Sequence, residues 1–161
     1  MSARRLVAVA LFAALLGGMG RAPEPVPPAC TVLETVPGEV LGAAARFETV
    51  QARENEDMTL SLCHALDADG LPVATLLLRH DLSPSAPPDA GTQRAALLEE
   101  LAETFGAAPD AREPALGEAA LWVADVSQLT IWDRDGRVTM IVTAPGPDAE
   151  AIGRALLAAL D

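Results

Sequence analysis

The sequence predicts an α+β protein, with a single antiparallel sheet of about five or six strands packed against two or three helices. Three observations carry that expectation. Met58, Leu60, Leu62, His64 and Leu66 alternate with Thr59, Ser61, Cys63 and Ala65, which is the period of a strand. Residues 129–142 fold back about Asp135-Gly136 in a register that groups their apolar side chains. Residues 90–105 and 147–160 repeat apolar side chains at three- and four-residue spacing. Consecutive strands joined by tight turns make an antiparallel sheet, and the helices supply its cover.

Each element has its own warrant. A short helix over residues 37–41 ends at Gly42, and residues 46–53 read as a strand. After the strand over residues 57–66, Asp67-Ala68-Asp69-Gly70 has turn chemistry, with Asp69-Gly70 suited to positive φ. Residues 73–79 return as a second strand whose leucines on both faces make it central. The helix over residues 90–105 is capped by Asp89 and stopped by Gly106, and it sets Leu97, Leu98, Leu101 and Phe105 on one face. Residues 119–123 form another strand.

The second hairpin can be registered residue by residue. With Asp135-Gly136 as a two-residue turn, Arg134 pairs with Arg137, Asp133 with Val138 and Trp132 with Thr139. Ile131 then faces Met140, Thr130 faces Ile141 and Leu129 faces Val142, so four apolar side chains share a face. The last helix carries Ile152, Leu156 and Leu160, with Asp148 and Glu150 in its first turn where the helix dipole favours acids. Residues 82–88 and 107–114 read as irregular.

Domain organisation starts from the first twenty residues. Arg4 and Arg5 precede the apolar run from Leu6 to Leu16, and Gly17, Gly18 and Gly20 follow; this is the layout of a secretory signal peptide. The run is well short of the roughly 20 residues that span a bilayer. Cleavage is expected after Gly20. Residues 21–29, with four prolines, then read as a tether, and residues 30–161 as a single domain. Lipidation at Cys30 is the alternative, but Pro27, Pro28 and Ala29 precede it, with no leucine three positions back.

Charge narrows the partners. The chain has 11 basic and 23 acidic residues, a net charge of −12, and losing Arg4 and Arg5 with the signal lowers it by two more. Such a surface repels nucleic acid and anionic lipid, and leaves solubility or a basic protein partner as its use. All basic residues are Arg and tyrosine is absent, which we take as the imprint of a GC-rich genome. Aromatics at 3% argue against a stacking platform for sugars or bases.

Cys30 and Cys63 are the only cysteines. In an exported domain an even pair is most simply one disulfide, worth roughly 3–4 kcal/mol for a loop of this length. A metal-binding or redox role for Cys63 is the alternative, and no Cys-x-x-Cys supports the redox case.

Cys30-Thr31-Val32-Leu33, Leu41-Gly42, Cys63 within a strand, and the stretch Leu116-Gly117-Glu118-Ala119-Ala120-Leu121-Trp122 form a pattern. It resembles small exported bacterial domains of unknown function, known as cysteine-containing actinobacterial lipoproteins and as proteobacterial periplasmic counterparts. The likeness spans about residues 30–160. It implies a compact sheet-and-helix fold and a Cys30–Cys63 bridge, and brings no catalytic residues. Membrane anchoring does not carry over, because this chain lacks a lipobox. Gly117 suits a tight turn entering a strand, and Trp122 reads first as a core or sheet-face anchor.

Candidate chemistry is sparse. His64 and Met58 share one alternating face and His80 precedes Asp81, so a copper-type site would need the two histidines to converge across a hairpin. Adjacent strand residues point to opposite faces, which sets Cys63 apart from His64. Glu54, Glu56 and Asp57 cluster beside Asn55, but the spacing of a calcium loop is missing, and Asp67-x-Asp69-Gly70 and Asp133-x-Asp135-Gly136 serve as hairpin turns. There is no Gly-x-Ser-x-Gly and no phosphate loop, and general acid–base chemistry would rest on carboxylates alone.

The sequence therefore reads as a non-enzymatic periplasmic or secreted domain that binds an envelope protein or a small apolar ligand, with no catalytic residues, metal ligands or cofactor expected. Glu54, Glu56, Asp57 and Trp122 are its candidate binding residues. The alternatives are a periplasmic inhibitor or immunity protein that neutralises a basic toxin or hydrolase, and a metal-binding protein. Exposed acids around Glu48, Glu54, Glu56 and Asp57 beside an apolar spot would favour inhibition. An apolar pocket between the sheet and helix 90–105 would favour ligand binding.

Overall fold

The computed structural model describes residues 24–42, 44 and 46–161, so the expected signal segment lies outside the described residues. Seven strands form one antiparallel sheet: β1 (Arg46–Glu54), β2 (Met58–Leu66), β3 (Pro72–Asp81), β4 (Ala111–Arg112), β5 (Ala119–Val123), β6 (Gln128–Asp133) and β7 (Val138–Thr143). Their order across the sheet is β1-β2-β3-β7-β6-β5-β4. The helices among the described residues are α1 (Ala29–Leu33), α2 (Gly38–Leu41), α3 (Ala90–Phe105) and α4 (Gly146–Leu160). The class is the expected α+β. The strand count rises from the expected five or six to seven through β4, whose two residues are too short to leave a period in the sequence.

The second hairpin has the expected register: Asp133 pairs with Val138, Trp132 with Thr139, Ile131 with Met140, Thr130 with Ile141 and Leu129 with Val142. The ladder closes at Asp133–Val138 rather than at the expected Arg134–Arg137 pair: Arg137 N donates to Arg134 O at 3.2 Å, but Arg134 has positive φ along with Asp135 and Gly136 and so belongs to the turn. The Glu118 carboxylate accepts from both turn amides, Asp135 N at 2.8 Å and Gly136 N at 3.1 Å. Gly117, at φ 56, lets that carboxylate's segment run tight against β6; a Cβ there would sit 2.7 Å from the Trp132 carbonyl oxygen.

Two clusters of apolar side chains hold the layers. On one face α1, α2 and α4 cover Cys63, Leu76, Leu129, Ile131, Met140 and Val142. On the other, Leu97, Leu98 and Leu101 of α3 pack on Leu121, Val123 and Trp132. Phe105, expected in that row, is instead 46% exposed. Phe105 is the last residue of α3, next to the left-handed Gly106 that ends the helix.

Hydropathy alone would turn the Leu60 and Leu62 face of β2 inward, and the structure does the reverse. Ser61, Cys63 and Ala65 are buried against α1, while Leu60, Leu62 and His64 are half-buried on the outer face. Cys63 is bridged to Cys30 on α1, with their Cα atoms 5.0 Å apart. Small side chains let that helix lie close against the strand. Among the described residues no helix is long and apolar enough to cross a membrane.

Candidate functional site

The end of the β2–β3 hairpin away from its turn is only partly covered by α1. The chain before α1, residues 25–28, crosses above it and leaves a cavity of about 460 Å³ between itself and the sheet. Val26 also packs against the main core. The floor is built by strand pairing: Ala52 faces Ser61, Glu54 faces Thr59, Ser61 faces Leu78 and Thr59 faces His80. Paired residues share a face, so all of these side chains stand on the side of the sheet that α1 covers. Val26, Leu78 and Leu82 make the walls largely apolar.

Two buried polar side chains interrupt that surface. Ser61 Oγ accepts from Ala29 N at 2.8 Å, joining the start of α1 to β2 and leaving the hydroxyl proton to donate elsewhere. His80 is only 2% exposed, and among the described residues no hydrogen bond reaches its imidazole. Burial pushes its pKa down from the ordinary value, and the positive charges of Arg134 and Arg137 push the same way against the weaker pull of Asp81. The imidazole is therefore neutral at pH 7, with a donor on one nitrogen and an acceptor on the other.

Asp81, next along β3, faces the opposite side of the sheet. Burial opposes its ionisation, but hydrogen bonds from Ser83 and the charges of Arg79 and Arg137 outweigh it and hold the carboxyl below its usual range. Arg137 Nη1 also donates to Ser83 O at 3.0 Å, which holds residues 81–83 against the second hairpin.

The sequence-derived candidates are distributed unevenly around this cavity. Glu54 lines it. Glu56 and Asp57 are exposed in the β1–β2 turn, where Asn55 Oδ1 accepts from Asp57 N and Met58 N. Asp57 O accepts from Leu82 N at 2.7 Å, so that turn abuts the cavity wall. Glu48 lies elsewhere, opposite His64 on the outer face. Trp122 is 7% exposed within the main core, and the Arg112 guanidinium sits 5.6 Å from its ring centroid. The structure does not bring Trp122 to the acidic residues.

The convergence that a copper-type site would need does not occur: His64 pairs with Thr75 on the outer face, while His80 pairs with Thr59 on the covered face near the other end of the hairpin. Among the described residues no group of three or more His, Cys, Asp or Glu could hold a metal ion. A pocket between the sheet and helix 90–105 would have favoured ligand binding; the apolar cavity lies instead on the opposite face, beneath residues 25–28. Strand parity could have grouped Thr59, Ser61 and His80, but nothing in a proline-rich stretch announces that it will roof a cavity.

A second cavity of about 400 Å³ lies by α2 and the start of β3, with a lining about equally polar and apolar that includes Glu39 and Asp148. No family model, curated protein or solved structure matches the chain.

Proposed function

We propose that this chain is an exported, non-enzymatic binding domain of the cell envelope that holds a small apolar ligand between residues 25–28 and the first hairpin. The observation that carries this reading is the cavity itself, with largely apolar walls and the His80 imidazole and Ser61 hydroxyl among its lining residues. Small-molecule sites have this composition: mostly apolar, with a few placed polar groups. Export is supported by the basic-apolar-small order of residues 1–20 and by the Cys30–Cys63 bridge, since disulfides persist in oxidising compartments.

Mass spectrometry tests both halves on protein secreted into a bacterial periplasm and purified unreduced. The denatured mass should equal residues 21–161 less two hydrogens. The native mass should exceed it by a bound ligand, and Leu78→Trp, which fills the cavity, should remove the excess. A native mass equal to the denatured one would overturn the ligand reading.

A second reading has its own support. Glu54, Glu56 and Asp57 are exposed at one end of the edge strand β1, which also carries Val50 at 48% exposure and Glu48. An acidic edge beside an exposed apolar residue suits an inhibitor of a basic hydrolase, for which charge speeds association. Replacing Glu54, Glu56 and Asp57 with Arg should then slow association with such an enzyme and flatten its salt dependence. Unchanged rates would reject it.

A further inference from the structure

We propose that the cavity selects a small apolar carboxylate, with its hydrocarbon along Val26, Leu78 and Leu82 and its head group between His80 and Ser61. This rests on the ligand-binding reading above and adds the chemistry of the head. His80 and Ser61 are diagonal neighbours on paired strands, roughly 7–8 Å apart along the sheet, a span that one carboxylate can bridge. Ser61 keeps a hydroxyl donor, since its hydrogen bond to Ala29 uses only a lone pair. His80 lines the cavity beside Ser61, and no hydrogen bond from a described residue occupies its ring nitrogens, so they remain open to a ligand from the cavity side.

The sign of the head group follows from the charges around His80. Arg134 and Arg137 both act on the imidazole, from the turn of the second hairpin, and Asp81 is the acid that opposes them. Glu54 and Arg53, of opposite charge, both line the cavity from β1, and both are exposed, so solvent screens their charges. An anion placed against His80 meets a net positive surrounding and a base that can take up a proton to pair with it. A cationic head would meet the same arginines and be repelled. A neutral alcohol could accept from Ser61 and donate to His80, but it would gain no charge pairing. Binding of the carboxylate therefore draws a proton onto His80.

Decanoate and decan-1-ol, which share a chain and differ in head group, are the probes. At about pH 6, near the ordinary histidine range, decanoate should bind the full-length exported protein at least about tenfold more tightly than the alcohol, the worth of one charge-assisted hydrogen bond. Followed by NMR, the His80 imidazole should titrate at a higher pH with decanoate bound and at an unchanged pH with decan-1-ol. His80→Leu should retain both ligands and erase the preference. The NMR titration stands without any variant, should His80→Leu fail to fold. Equal affinities with an unmoved His80 titration would overturn the carboxylate assignment and leave the apolar cavity reading standing. Failure of both probes to bind would overturn that reading and the assignment with it.

Discussion

The two long hairpins share one sheet but are held by different means. β6–β7 is covered by α4 on one face, and on the other α3 packs against Trp132 of β6; Ile131, Met140 and Val142 are fully buried. β2–β3 is covered on one face only, by the five residues of α1, which a disulfide ties to Cys63. Its outer face leaves Leu62 and Leu77 half-buried. Where two helices supply contacts, packing alone holds the hairpin. Where one short helix must serve, a covalent link takes over, and the incomplete cover leaves room for the cavity. Stability and the site thus fall at opposite sides of the sheet, as is usual when binding regions are drawn from the less densely packed parts of a fold.

Paired truncations test this contrast most strongly. Ile131→Ala opens a hole beneath α4 in a fully buried position and should cost about 4 kcal/mol. Leu77→Ala, on the open face of β3, should cost only about 1 kcal/mol, because little contact is lost. Urea unfolding of both variants gives the comparison. Equal losses would mean that the open face is covered in solution, by a second copy or another partner.

Next in size is the bridge. Replacing both cysteines with Ser should cost about 3 kcal/mol on the loop-closure estimate for residues 33 positions apart. Hydrogen exchange should show that the loss is local, with amides of α1, β1 and β2 opening well before those of β6 and β7. Uniform loss of protection across the sheet would show that the two sides unfold as one unit and that the contrast is only geometric.

Gly153 sharpens the packed side. A Cβ there would come 2.8 Å from Ile131 Cδ1 and 3.0 Å from Leu129 Cδ2, so Gly153→Ala must push α4 off β6 or displace those side-chain ends. Overpacking costs about 1–3 kcal/mol, and alanine returns about 1 kcal/mol of helix propensity. The expected net loss is about 1 kcal/mol by urea unfolding. A gain in stability would show that the α4–β6 contact has slack.

The same contrast explains what could be read in advance. The β6–β7 register was legible because Asp135-Gly136 fixes the turn and only one pairing groups the apolar residues. Helices α3 and α4 are long enough for their period to show. On the β2–β3 side the period was visible, but the inward face was not. Leu60 and Leu62 outweigh Ser61, Cys63 and Ala65 in hydropathy, yet the face turned inward is the one that α1 covers and to which it is bridged at Cys63. Helix α1, at five residues, and β4, at two, are shorter than the windows in which periodicity accumulates. Glu54 was found as part of an acidic cluster; His80 was noticed as a candidate metal ligand and not as a wall of the cavity. What joins them is the path of residues 25–28, which depends on a long-range contact and leaves no local pattern.

The smallest expected effect is a pH response belonging to the β2–β3 side. His80 has a pKa below its ordinary value of 6.5 in the folded protein, through burial and the nearby charges of Arg134 and Arg137. The unfolded chain, where histidine titrates normally, therefore binds more protons across the interval between the two values. Stability falls as pH drops through about 6.5, and levels off once the folded imidazole also protonates. Asp81 acts in a separate window. Its carboxyl is held below the usual 3.8, so its contribution is present at higher pH and disappears only as pH falls through the lower folded value. Thermal midpoints measured between about pH 7.5 and pH 5 isolate the histidine term. The midpoint of the native protein should decline by a few degrees over that range, and His80→Leu should flatten the decline. If the variant keeps the full slope, the pH response belongs to another group and not to His80.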